Sequence, residues 1–306
     1  MDVLSLLDSV TIRQAVDDFI FSRRLANLSP RTVTWYEEQF QRVWMQAYSL
    51  PLADVTLPLI RERLAVLSQQ VKPATVNGFI RALKAFFNWL QEEEYPVALN
   101  PRKLKPLKTE KRLPPILTPE QLTALLSQPD DTWTGKRDHC LMSLLLDTGI
   151  RISESLAIRL SDVDETAGTI AVVGKGNKQR MVALSLEMRR TLRRWVKTRD
   201  LLVRKHEWTC EVLFPSRFGD HLSYRTAAER IQEYGNQAGI DGVRVSPHTF
   251  RSTFATHFCR QGGSIVHLQT ILGHTTLDMS RKYAAVVDED AFESSRRFSP
   301  LAAMKR

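Results

Sequence analysis

The sequence predicts a mainly α-helical protein with one small antiparallel β-sheet, divided into two domains. Three observations carry that expectation. Apolar residues recur at three- and four-residue spacing through most of the chain. A β-branched run and a second, returning run bracket a glycine-rich turn between 169 and 184. A stretch rich in proline, lysine and arginine breaks the periodicity at 100–116. At 306 residues the chain is long enough to bury two separate cores.

The first domain is expected over 1–99, as a bundle of four or five helices. Ile12, Ala15, Val16, Phe19 and Ile20 share one helical face. Ser29-Pro30 reads as an N-cap followed by proline at the first helical position, opening a helix through Val33 to Val43. Leu59 to Leu67 is a third periodic run. Pro73 to Leu90 is a fourth, with Val76, Phe79, Ile80, Leu83, Phe86, Phe87 and Leu90 on one face and Arg81 and Lys84 on the other. Residues 100–116 follow as an extended, solvated connector whose like charges and prolines oppose folding. Its Lys105 and Lys108 are suited to lie against phosphates.

The second domain is expected over 117–306. Thr118 caps a helix opened by Pro119, and Asp138 to Leu146 is an apolar helix ending at Thr148-Gly149. Thr169–Val173 and Arg180–Leu184 form a hairpin around Gly174-Lys-Gly-Asn-Lys178. Helices resume at about 186–204, 223–238, 247–261, 264–272 and 276–286.

Composition narrows the function. Hydrophobic residues at 43% and charged residues at 25% fit a folded soluble protein rather than a disordered one. The formal charge is +9, with 16 basic against 12 acidic residues up to Arg112 and 27 against 22 after it. Both halves therefore suit a polyanionic partner. Cys140, Cys210 and Cys259 are too far apart for a ribbon or a disulfide framework, and the N-terminus has no positively charged signal region. No apolar run approaches a membrane span. These features place the protein in the cytoplasm, with no membrane partner.

The residues that bear chemistry form an ordered series. Arg151 follows the Thr148-Gly149 break, where a guanidinium fork is backed by the core and matches two phosphate oxygens. Lys175 stands at the hairpin tip, flanked by glycines. Ser246-Pro247 starts a helix that puts His248 and Arg251 three residues apart in its opening turns, beside free N–H groups and the positive end of the dipole. His274 follows Gly273 at a helix end, and Tyr283 follows Arg281 and Lys282. Lys178 and Arg180 extend the basic hairpin and are candidates for DNA contact, like Arg81, Lys84, Lys105 and Lys108. His257, Cys259 and His267 do not have the spacing of a zinc site. No metal is expected.

This series resembles the tyrosine recombinases of the phage-integrase and Xer type. The resemblance covers nearly all of 117–290 and rests on Thr-Gly-Ile-Arg151-Ile-Ser-Glu, Val-Val-Gly-Lys175-Gly-Asn-Lys-Gln-Arg, His248-Thr-Phe-Arg251-Ser-Thr-Phe-Ala-Thr-His, and Leu-Gly-His274 with Tyr283 nine residues on. A weaker likeness, through Leu-Ser-Pro-Arg-Thr and Leu-Lys-Ala-Phe-Phe-Asn-Trp-Leu, links the first domain to the family's helical core-binding domain. Phe250 and Ser252 depart from the family's frequent His-x-Leu-Arg-His, at positions outside the catalytic set. The approach to Tyr283 is closer to mobile-element members than to chromosomal Xer proteins.

The resemblance implies a core-binding domain and a catalytic domain closing as a C-shaped clamp on double-stranded DNA. It implies catalysis by Arg151, Lys175, His248, Arg251, His274 and Tyr283, without metal ion, ATP or other cofactor. The function implied is site-specific recombination through a 3′-phosphotyrosyl intermediate, serving a mobile element or resolving DNA dimers. A homotetramer or pair of dimers would act on the recombination site, or the chain would pair with a related recombinase. The tail after Tyr283, with Val286, Val287, Phe292 and Phe298, would dock on its own domain or on a neighbouring protomer. Two other readings remain at this stage: a type IB topoisomerase-like nicking and resealing enzyme, and a non-catalytic DNA-binding accessory protein.

Overall fold

Local sequence sets most of the helix boundaries. In the computed structural model, the side chains of Thr11, Ser29, Thr56, Thr118, Thr132, Ser185, Ser223, Ser246 and Ser264 each accept a hydrogen bond from a backbone N–H in the first turn of the helix that follows. The structure describes residues 10–109 except 96 and 98, residues 114–274 except 175 and 176, and residues 276, 277, 280 and 283. They fall into two units, Met1–Lys111 and Arg112–Arg306. Among the described residues, no helix is long and apolar enough to cross a membrane.

The first unit is all-helical: α1 (Ile12–Leu25), α2 (Pro30–Trp44), α3 (Leu57–Gln70) and α4 (Pro73–Glu92). Its core is aromatic. Phe19 on α1 meets Tyr36 and Phe40 on α2 edge-on at 5.1 and 5.5 Å, and Phe86 and Trp89 on α4 at 5.6 and 5.5 Å. One side chain therefore ties three helices together, in the edge-to-face geometry that the ring quadrupoles favour. The expected connector differs from prediction at its start. Pro101–Lys103 forms a 3₁₀ turn, Pro101 and Leu104 are buried, and the Asn77 side chain brackets the backbone N–H and carbonyl of Leu107 at 2.7 and 3.0 Å. Helical periodicity misses this segment because it packs through single apolar residues.

The second unit contains α5 (Pro119–Leu126), α6 (Trp133–Thr148), α7 (Ile152–Ala157), α8 (Leu186–His206), α9 (Tyr224–Gln237), α10 (Pro247–Arg260) and α11 (Ile265–Leu272). A three-stranded antiparallel sheet runs β1 (Val163–Asp164), β2 (Thr169–Val173), β3 (Gln179–Ala183). The β2–β3 hairpin pairs Val173 with Gln179 at its outer end. The short strand β1 and the single-turn-and-a-half α7 lie below the length at which periodicity is readable. α6 begins earlier than expected, at Trp133, because Thr132 caps it. It packs against both α8 and α10.

Gly149 ends α6 with φ +63°, and a side chain there would run into the ring of Phe254 on α10. This left-handed residue turns the chain directly into Arg151. The expected helix over 276–286 and the tail after it lie largely outside the described residues.

Replacing Phe19 with alanine should cost the first unit about 4 kcal/mol, since it removes a fully buried ring shared by three helices. Urea unfolding followed by tryptophan fluorescence measures it, and a loss below about 1 kcal/mol would show that the cluster is not the organising core.

Candidate active site

The C-terminal end of α11 organises the site. Helix ends leave carbonyls without intrahelical partners and carry partial negative charge. Here those carbonyls collect guanidiniums. Arg180 Nε donates to the Ile271 carbonyl at 2.9 Å, and Arg251 Nη2 donates to that of Leu272 at 2.7 Å. Arg151 reaches the Leu272 and Gly273 carbonyls at 3.4 and 3.3 Å. Gly273, with φ +62°, closes the helix and lets Arg180 pass close: a Cβ there would sit 3.2 Å from its Nη1.

One carboxylate balances this charge. Glu154, on α7, accepts from Arg151 Nη1 at 2.8 Å, from the Arg151 backbone N–H at 3.0 Å, and from Arg180 at 3.2 and 2.7 Å. Burial favours its neutral form, but the hydrogen bonds from Arg180 and Arg151 outweigh it and hold its pKa below the ordinary 4.5. The backbone bond is also the cap of α7, so the same residue that fixes Arg151 starts the helix behind it.

Arg251 is the deepest of the three arginines, only 6% exposed, with its other Nη bonded to the Gly149 carbonyl at 2.7 Å. Burial and then the neighbouring Arg151 charge pull its pKa down to about 10, opposed by Glu154 and Tyr283. It stays protonated at neutral pH, yet its charge is under-compensated. Each guanidinium keeps N–H donors beyond those bound to carbonyls. A paired fork in a desolvated setting is built to receive an anion.

His274 and Tyr283 complete the centre. Their rings stack at 6.3 Å with 12° between planes, and His274 Nδ1 shares a 2.8 Å hydrogen bond with Ser280 Oγ. Tyr283 is buried against Ala255 of α10 and Leu268 and Leu272 of α11. Its influence on Arg251 places the phenol in the field of the same cluster.

The sequence candidates thus divide. Arg151, Arg251, His274 and Tyr283 meet around the end of α11. His248 sits in the first turn of α10, one turn before Arg251, and is exposed where Arg251 is buried. Lys175 lies outside the described residues. The base of its hairpin is beside the cluster, since a Cβ on Gly174 would come within 3.3 Å of Arg180 Nη1 and 3.5 Å of Glu154 Oε1. Lys105, Lys108, Lys178 and Arg81 are exposed, and Lys84 is half-buried; the Arg81 guanidinium lies 5.9 Å from the Trp35 ring. Arg180 differs from expectation. It is committed to Glu154 and the Ile271 carbonyl with its side chain 16% exposed, so it braces the site instead of reaching into a groove. Among the described residues, no group of three or more His, Cys, Asp or Glu is placed to hold a metal ion.

The phage integrase family matches residues 115–290, which include every residue of this cluster. The chain belongs to the phage integrase family. It is 31% identical to the tyrosine recombinase XerD of Vibrio cholerae, over 96% of this chain and 98% of the relative. It is 36% identical to XerD of Neisseria meningitidis serogroup B, over 68% of this chain and 71% of that one. Its fold matches a XerH site-specific recombinase bound to palindromic difH substrate with a TM-score of 0.74, at 21% identity over 92% and 83% of the two chains. It also matches a lambda integrase dimer bound to a COC′ core site with a TM-score of 0.73, at 18% identity over 90% and 95%. As a tyrosine recombinase of this family, the protein is an enzyme that cleaves and rejoins DNA at specific sites.

Glu154 is the residue that sequence reasoning missed. Its signal was present: an acid three residues after a key arginine, at the start of a helix, is both a capping partner and an ion pair.

Glu154→Gln should lower stability by about 3 kcal/mol at pH 7 by leaving two arginines uncompensated. Because the folded-state pKa of Glu154 is lowered, its contribution is complete above about pH 4.5 and lost as pH falls through that lowered value. The gap between wild type and variant should therefore be constant at neutral pH and close in acid. Unfolding curves between pH 3 and pH 8 test this, and a gap that widens in acid would contradict the assignment.

Proposed function

We propose that the protein exchanges strands between two copies of a DNA recombination site through a covalent link at Tyr283. The observation that carries this is the convergence of Arg151, Arg251, His274 and Tyr283 on the end of one helix. Tyr283 attacks a phosphate in line, giving a 3′-phosphotyrosyl bond and a free 5′-hydroxyl. A second 5′-hydroxyl then attacks that bond, which conserves the energy of the one broken, and the strand joins a new partner.

The roles follow from charge and position. A phenol with pKa near 10 is ionised in only about one molecule in a thousand at pH 7, a cost of roughly 4 kcal/mol. Loss of its proton to His248 during attack avoids that cost. Arg151 and Arg251 hold the non-bridging oxygens as negative charge grows, each worth about 3 kcal/mol as a fixed donor. The mutual repulsion of Arg151 and Arg251 supports this role, since the charge of a phosphate offsets it. Lys175 protonates the leaving 5′-oxygen, and His274 donates to the phosphate. Lys178, Arg81, Lys84, Lys105 and Lys108 contact the duplex elsewhere; Arg180 acts through Glu154 instead.

We further propose that four copies act together on DNA in the cytoplasm. A fold neighbour described as a lambda integrase tetramer bound to a Holliday junction supports the tetramer (TM-score 0.73, 18% identity). The basic charge of both halves supports the DNA partner.

A suicide duplex that traps the cleaved strand tests the reaction. Wild type should give a covalent adduct, also in the presence of a chelator, and Tyr283→Phe should give none. An adduct that persists in the phenylalanine variant would assign the nucleophile elsewhere.

A further inference from the structure

α8 carries a feature that the catalytic centre does not use. It is a helix of 21 residues, and Met188, Leu192, Trp195 and Arg199 are buried along one side. At 3.6 residues per turn, Arg190, Arg193, Arg194, Lys197, Arg204 and Lys205 fall within an arc of about 120° on the opposite side. All six are exposed. They form a stripe about 22 Å long, from the rise per residue between the first and the last.

Neutralisation along this line is partial. Arg190 lies 3.7 Å from Glu187, and Arg193 lies 3.3 Å from Glu165. Arg194, Lys197, Arg204 and Lys205 make no ion pair among the described residues. Like charges four apart, as in Arg190 and Arg194 or Arg193 and Lys197, weaken a helix. A face that served only solubility would alternate its signs and gain from the pairs. The apolar side chains on the same arc are Leu186 and Leu201, 63% and 67% exposed, too few to form the aromatic or apolar centre of a protein interface. Among the described residues, none of the hydrogen bonds of Arg151, Glu154 or Arg251 involves α8.

We propose that this outer face of α8 binds the phosphate backbone of duplex DNA beyond the segment held at the catalytic residues. A duplex presents about one negative charge per 1.7 Å of axis. A stripe of mostly arginine side chains therefore meets phosphates along its length without reading sequence. The contact fastens the flanking DNA to the body of the enzyme. The proposal rests on the reading that duplex DNA is the substrate, and not on the roles assigned to individual catalytic residues.

The test uses the full chain with Arg190, Arg194, Lys197 and Arg204 all changed to glutamine. Two duplexes are compared: the shortest that wild type cleaves, and the same site with long flanks of unrelated sequence. On the flanked duplex, the plot of log affinity against log salt should become shallower by about three to four in slope, with binding at low salt at least tenfold weaker. On the short duplex, adduct yield should match wild type. A gain-of-charge variant, Leu201→Lys, should steepen the flanked-duplex slope by about one. Thermal melting reports whether each variant is folded. Equal slopes for wild type and both variants on the flanked duplex would overturn the proposal. So would an equal loss on both duplexes, which would place the stripe on the core-bound DNA. Failure of the catalytic reading is separate: it appears as a missing Tyr283 adduct in wild type, with the flank effect intact.

Discussion

The site depends on where the last carbonyls of α11 point. They are the unsatisfied acceptors that every helix leaves at its end, and here they are satisfied by Arg151, Arg180 and Arg251. Three guanidiniums would not gather in a half-buried space unaided. Carbonyl dipoles supply part of the attraction and the Glu154 carboxylate supplies the rest. What remains is an excess of positive charge, fixed by these bonds and partly buried.

Several separate pieces of chain are needed for that arrangement. Gly149 turns the end of α6 so that Arg151 enters from one side, while α10 delivers Arg251 through the core. The β2–β3 hairpin brings Arg180 to Glu154, with Gly174 leaving room for both side chains. Tyr283 and His274 follow the end of α11 and pack back on it. Positioning thus comes from helix termini and turns, and the hydrophobic cores serve to fix those termini.

Much of this was legible in the sequence, for identifiable reasons. Ser29-Pro30, Thr118-Pro119 and Ser246-Pro247 announced helix starts because cap and proline act locally. Phe19 and the face of α4 announced a bundle because periodicity survives over long helices. The arginine, histidine and tyrosine positions were visible as a series. The parts that were not visible share one property: they depend on tertiary partners. Arg180 looked like a groove contact until Glu154 and the Ile271 carbonyl claimed it. Glu154 itself was an unremarked acid. The segment after Asn100 looked solvated, yet Leu104 and the bonds from Asn77 anchor it. The burial of Arg251 beside an exposed His248, one turn earlier on the same helix, likewise follows from what packs on α10 and not from spacing.

We propose that fixed guanidinium geometry, more than net charge, prepares the site for phosphate. The most direct measurement is the single-turnover cleavage rate of a suicide duplex by Arg251→Lys, at saturating DNA. Lysine keeps the charge but cannot bridge the Gly149 and Leu272 carbonyls while offering a planar fork. The rate should fall by about 100-fold or more, with DNA affinity little changed. A rate close to wild type would show that charge alone suffices, and that the carbonyl-held fork is incidental.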